Sequence, residues 1–293
     1  MFHRNQQTAS QHSVRYVDAN GIRFAYIEEG AGQLVLFLHG FPDNAHSYRP
    51  QLRAFARAGY RAAAPFMRGY APTEAAPDGK YDPLTLARDI EGLIAALSGT
   101  GRASVVGMDW GGTALLAALV AAPSSIDTAV VMSTPHPITF SAVRKDPEAL
   151  HAMFHLYYFQ MPGVENAVGV EGIPFVDYLW RLWSPSFKDD AHIRSVKETL
   201  ESPGCLKAAL SYYPAFFAAA ATGQIPVGEI KTPTLTIYGA DDVSGKYAAM
   251  EEAMFKGPYR RVVLPRVGHF PHLEREGEVN RLIIEWLRSH ART

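Results

Sequence analysis

The sequence predicts an α/β fold: a mostly parallel, eight-stranded sheet flanked by helices and interrupted by a helical insertion. Three observations point to it. Short β-branched or aromatic runs alternate with Ala/Leu-rich helical stretches through the first part of the chain. Over residues 138–225 that rhythm stops, aromatics crowd in (MFHLYYF, VDYLWRLW, SYYPAFF) and helix signals dominate. After the breaks at Pro226 and Pro233 the alternation resumes.

Taken in order, strands are expected over residues 12–18, 22–28, 34–38, 61–65, 103–106 and 128–132, with helices over 47–58, 83–98 and 112–121. The Asn20-Gly21 dipeptide makes the first two strands an antiparallel hairpin. Helix-length crossovers separate the later strands, which are therefore expected to be parallel. Strands over 234–238 and 261–264 and helical segments over 246–255 and 276–288 close the chain. The expected organisation is a core over 1–137, a helical cap over 138–225 and a second core segment over 226–293.

Of 293 residues, 47% are hydrophobic and 19% charged, which excludes a disordered chain and permits a large core. The formal charge is -1 and there is no long basic run, so no nucleic-acid partner is expected. Cys205 is the single cysteine, so no disulfide and no metal-ligand spacing is implied. Residues 1–13 are polar, and no apolar run reaches the roughly 20 residues that span a bilayer. A cytoplasmic protein without membrane span, metal or cofactor is expected, with a homodimer left open.

The stretch GMDWGG, residues 107–112, joins an apolar strand to a helix and raises Asp109 above the sheet's carboxyl edge. At a helix N-terminus, backbone N–H groups and the helix dipole keep a carboxylate ionised and nucleophilic. Gly111 and Gly112 stand where the backbone must approach closely. HGFP, residues 39–42, follows the third strand, so the N–H groups of Phe41 and Trp110 are expected to converge as an oxyanion hole. GADD, residues 239–242, ends the seventh strand and VGHF, residues 267–270, follows the eighth. His269 is the expected base. Asp242, three residues after Gly239, is preferred to Asp241 as its orienting acid.

Together HGFP, GMDWGG, GADD and GHFPHLE, with a helical insert between the sixth and seventh strands, resemble the α/β-hydrolase fold and, within it, the epoxide hydrolase and dehalogenase branch. The resemblance implies a two-step reaction. Asp109 attacks an sp3 carbon to form an alkyl-enzyme ester, and water activated by His269 and Asp242 hydrolyses it. A serine would instead leave an ether, which water cannot cleave.

Opening an epoxide also needs a donor for the alkoxide, and the resembled enzymes take it from the cap. The run ending YFQMPG matches their pattern, with His155 where Tyr is usual, which is similar to the inhibitory-factor subgroup that uses a His and a Tyr. Tyr213 is the expected second donor, with Tyr212 as the alternative. His39, Pro42, Tyr157 and Tyr158 are expected in the substrate pocket. The expected substrates are a small apolar epoxide and water. The alternatives are a haloalkane or haloacid dehalogenase with the same nucleophile, for which the Trp110 indole would serve a halide, and a non-catalytic binding protein.

Overall fold

The computed structural model describes residues 13–290. Residues 12 and below, including the start of the first expected strand, lie outside them. The eight strands are β1 (Arg15–Ala19), β2 (Ile22–Gly30), β3 (Leu34–Leu38), β4 (Arg61–Pro65), β5 (Ala103–Met108), β6 (Ile126–Met132), β7 (Thr234–Gly239) and β8 (Tyr259–Leu264). They form one sheet in the order β1-β2-β4-β3-β5-β6-β7-β8. β1 and β2 form the hairpin around Asn20 and Gly21, β2 also pairs antiparallel with β4, and every other neighbour pair is parallel.

The strand order reverses at β3. The chain steps from β3 outward to β4 and then back past β3 to β5. Since crossovers between parallel strands are right-handed, helix α1 (Arg49–Arg57) and helix α2 (Pro83–Leu97) fall on opposite faces. The loops leaving β3 and β5 consequently diverge at the sheet's carboxyl edge and open a crevice between them, the place where open α/β sheets bind ligands. Helix α3 (Trp110–Ala121) follows β5 and packs with α2. Every residue of β5 and β6 is buried, so the crevice stands on the best-packed part of the sheet.

From Phe140 to Ala221 the chain is helical: α4 (Phe140–Val143), α5 (Pro147–Ala152), α6 (Phe154–Tyr158), α7 (Val164–Val168), α8 (Pro174–Trp183), α9 (Asp190–Leu200) and α10 (Cys205–Ala221). Prolines and glycines cut this stretch short: Pro147 and Pro174 begin α5 and α8, and Gly163 and Gly204, both left-handed, precede α7 and α10. After β7 come α11 (Val243–Tyr247) and a 3-10 turn over Ala248–Met254, where a single helix was expected. Helices α12 (Pro271–Glu274) and α13 (Glu276–His290) end the described chain, and α13 packs on α1 and β6. Among the described residues no helix is long and apolar enough to cross a membrane.

Candidate active site

Asp109 stands between β5 and α3 with φ 51° and ψ −118°, a left-handed geometry that costs a non-glycine residue on the order of 1–3 kcal/mol. Its neighbours make that turn possible. A Cβ on Gly111 would run into the Leu38 carbonyl, and one on Gly112 into the Thr134 hydroxyl. The Thr134 hydroxyl in turn donates to the Asp109 carbonyl at 3.0 Å. The Phe41 N–H donates to Asp109 Oδ1 at 2.8 Å. Trp110, as the first residue of α3, has an N–H with no intrahelical acceptor. Oδ1 is thereby held, and Oδ2 is the oxygen facing His269, 3.5 Å from its Nε2.

His269 Nδ1 lies 3.1 Å from Asp242 Oδ2, and the Ser244 hydroxyl and N–H donate to the same carboxylate. All three side chains are buried or nearly so. Burial alone would lower the His269 pKa, but the carboxylates of Asp242 and Asp109 raise it to about 10. Burial likewise opposes ionisation of Asp242, yet His269 and Ser244 hold its pKa below the ordinary carboxylate value. The resting arrangement is therefore an imidazolium between two carboxylates.

A cavity of about 100 Å³ lies over this edge and is lined by Asp109, Trp110, His155, Tyr213, Asp242 and His269 among mostly apolar neighbours. His155 comes from α6 and Tyr213 from α10, their rings 5.7 Å apart and near-perpendicular. Burial lowers the His155 pKa to about 3, against the pull of Asp109, so the ring is neutral. Burial and the Asp109 charge push Tyr213 well above the ordinary phenol value, opposed by the Trp110 side chain. Tyr212 points elsewhere: its hydroxyl donates to the Arg68 carbonyl at 2.7 Å.

Four residues expected in the pocket lie outside its lining. His39 accepts from the Met67 N–H through Nε2 and meets the Gly40 carbonyl through Nδ1, bracing the loop from beneath. Pro42 turns its carbonyl to the Trp180 indole N–H at 3.0 Å, which ties the loop to α8. In α6, His155 and the following Phe159 take the inner side. That leaves Tyr157 41% exposed against Phe217 and Tyr158 stacked on Phe175. The sequence reading missed Ser133 and Ser244. Ser133 directly follows β6 as Asp109 directly follows β5, and that shared position was its available signal; Ser244 lies beyond the β7 loop, in the first turn of α11 two residues after Asp242.

The fold and the crevice define an α/β hydrolase, and a family model described as "alpha/beta hydrolase fold" matches residues 33–164. Epoxide hydrolase 3 of Xenopus tropicalis is 30% identical over 293 residues, covering 95% of this chain and 78% of the relative. An epoxide hydrolase structure from Vigna radiata superposes with TM-score 0.82 at 24% identity, covering 97% of this chain and all of that one. Potato epoxide hydrolase I superposes with TM-score 0.80 at 24% identity, covering 95% and 100%. These two structures speak for the fold. The chain belongs to the α/β-hydrolase family and, within it, to the epoxide hydrolases.

Proposed function

We infer that the protein hydrolyses an apolar epoxide to a vicinal diol through a covalent ester on Asp109. The observation that carries this reading is the opposition of two sets of groups across one apolar cavity: a carboxylate with Oδ1 held by a hydrogen bond and Oδ2 beside the His269 imidazolium, facing a neutral His155 and a protonated Tyr213. Asp109 Oδ2 attacks an oxirane carbon, the ring C–O bond breaks, and His155 and Tyr213 stabilise the alkoxide, one of them supplying its proton.

Forming the ester removes the Asp109 charge. One of the two carboxylates that raise the His269 pKa is then gone, and the imidazolium more readily loses its proton, which passes by way of solvent back to the donor that protonated the alkoxide. His269, still oriented by Asp242, becomes the base that activates water. The N–H groups of Phe41 and Trp110 hold the developing oxyanion where Oδ1 sits at rest. We read the helical segment between β6 and β7 as the cap that closes this cavity.

Dehalogenation through the same nucleophile is the second reading, favoured by the Trp110 side chain in the cavity wall. Racemic styrene oxide and a haloalkane panel separate the two: diol without halide release supports the first, halide release the second, and neither product overturns both. Cytoplasmic residence and a homodimer belong to the same reading, and fractionation and light scattering test them.

A further inference from the structure

Among the described residues, four buried side-chain polar atoms of the cavity lining have no hydrogen-bond partner: His155 Nδ1, Tyr213 Oη, His269 Nε2 and Ser133 Oγ. Two other hydroxyls of the lining are engaged, Ser244 on Asp242 and Thr134 on the Asp109 and Met132 carbonyls, and Thr113 is only half-buried. The proposed reaction uses the first three atoms. It gives the fourth nothing to do, although Ser133 is only 2% exposed and a buried hydroxyl without a partner is costly.

The placement of Ser133 is as specific as that of Asp109. It follows the last residue of β6, the strand between β5 and β7, so it stands between the nucleophile's strand and the acid's strand. Two backbone bonds fix it there: its N–H donates to the Ile237 carbonyl at 3.0 Å, and the Asp109 N–H donates to the carbonyl of the preceding Met132 at 3.3 Å. Its φ is 48°, a left-handed value that serine rarely adopts and that sets where the side chain goes. His269 reaches from the far side, after β8, to Asp109, and so spans the same ground. His155 and Tyr213 come instead from the helical segment above.

We propose that Ser133 Oγ binds the hydrolytic water together with His269 Nε2 and orients it toward the ester carbon of alkylated Asp109. A water in an apolar cavity needs at least two polar partners, and these are the two atoms on the sheet side without a hydrogen bond, His269 Nε2 facing only the Asp109 carboxylate at 3.5 Å until that group is alkylated. One water proton passes to His269 Nε2 and the other is donated to Ser133 Oγ, which aims the oxygen lone pair at Asp109 Cγ. The new O–Cγ bond forms as the carbonyl electron pair moves onto the oxyanion. On collapse the Cγ–O bond to the alkyl group breaks, and the departing diol oxygen takes the proton from His269. The proton left on the water oxygen then passes to His269, which restores the resting imidazolium, and the water oxygen remains in the Asp109 carboxylate.

This inference rests on the epoxide hydrolase reading, and its test separates the two. Single-turnover kinetics with styrene oxide resolve alkylation from ester hydrolysis, with quenched samples read by intact-protein mass spectrometry. Ser133→Ala and Ser133→Gly both remove Oγ, and glycine accepts the positive φ without strain, so agreement between them removes a folding explanation. Both variants are expected to alkylate at the wild-type rate, to hydrolyse the ester about tenfold or more slowly, and to accumulate alkyl-enzyme. Wild-type ester hydrolysis in the glycine variant overturns the proposal. So does an equal loss in both steps, or a higher KM confined to epoxides bearing a polar substituent, which would make Ser133 a substrate contact. Absence of any alkyl-enzyme, even in His269→Gln, overturns the underlying reading instead.

Discussion

On the sheet side of the cavity, hydrogen bonds hold the reactive groups: Phe41 N–H on Asp109 Oδ1, Asp242 on His269, Ser244 on Asp242. On the helical side, His155 Nδ1 and Tyr213 Oη have no such partner, and aromatic faces hold them in place. The Tyr213 ring meets Phe41, Trp110, His155 and Phe159, and the His155 ring also meets Trp183 at 4.6 Å. One side is set by directional bonds that fix charge; the other is set by packing that leaves donors free to meet an alkoxide. A site built this way keeps the nucleophile preorganised and leaves the leaving-group pocket open to change by substitution of its aromatic supports.

Removing the free donors should therefore act on one step only. Tyr213→Phe keeps the aromatic support and is expected to slow alkylation on the order of 10²-fold while ester hydrolysis holds, with His155→Phe in the same direction, read by single-turnover kinetics. Equal slowing of both steps would dissolve the division between the two sides. A weaker blow falls on the sheet side when its backbone packing is disturbed. The Cβ of Gly112→Ala would collide with Thr134, which braces the Asp109 carbonyl, so a loss of about 1–3 kcal/mol in urea unfolding is expected.

The most gradual effect is on acid stability. His155, His136 and His272 are buried and neutral, burial lowering their pKa values to about 3, about 4 and about 4. Between those values and the unfolded value near 6.5 the unfolded chain binds more protons, so stability falls as pH is lowered through that window. Each histidine contributes a slope of at most about 1.4 kcal/mol per pH unit, and His155→Phe should flatten the melting temperature's dependence on pH across it.

How far the sequence could be read follows the same division. Strand ends and tight turns are local signals, so the hairpin at Asn20-Gly21, the turn carrying Asp109 and the loops carrying Asp242 and His269 were legible from glycine placement and strand pattern. The direction a side chain takes from a short helix depends on what packs around it. The resemblance carried by YFQMPG implied His155 for the site, but nothing in MFHLYYF itself says that Phe159 turns inward and Tyr157 and Tyr158 outward, because α6 is five residues long and its neighbours α8 and α10 decide. His39 and Pro42 were misplaced for a related reason: a loop's side chains and carbonyls find partners distant in sequence, here Met67 and Trp180. Ser133 escaped notice because a serine after a strand is common, which makes its position after β6 a weak signal, and its positive φ and unpartnered hydroxyl show only in the folded chain.

The most direct test of a carboxylate that is alkylated and then released by water is to remove the base and look for the ester. His269→Gln, incubated with styrene oxide and examined by intact-protein and peptide mass spectrometry, should gain one substrate mass on the peptide containing Asp109 and turn over negligibly. Unmodified protein that still forms diol at the wild-type rate would contradict the account.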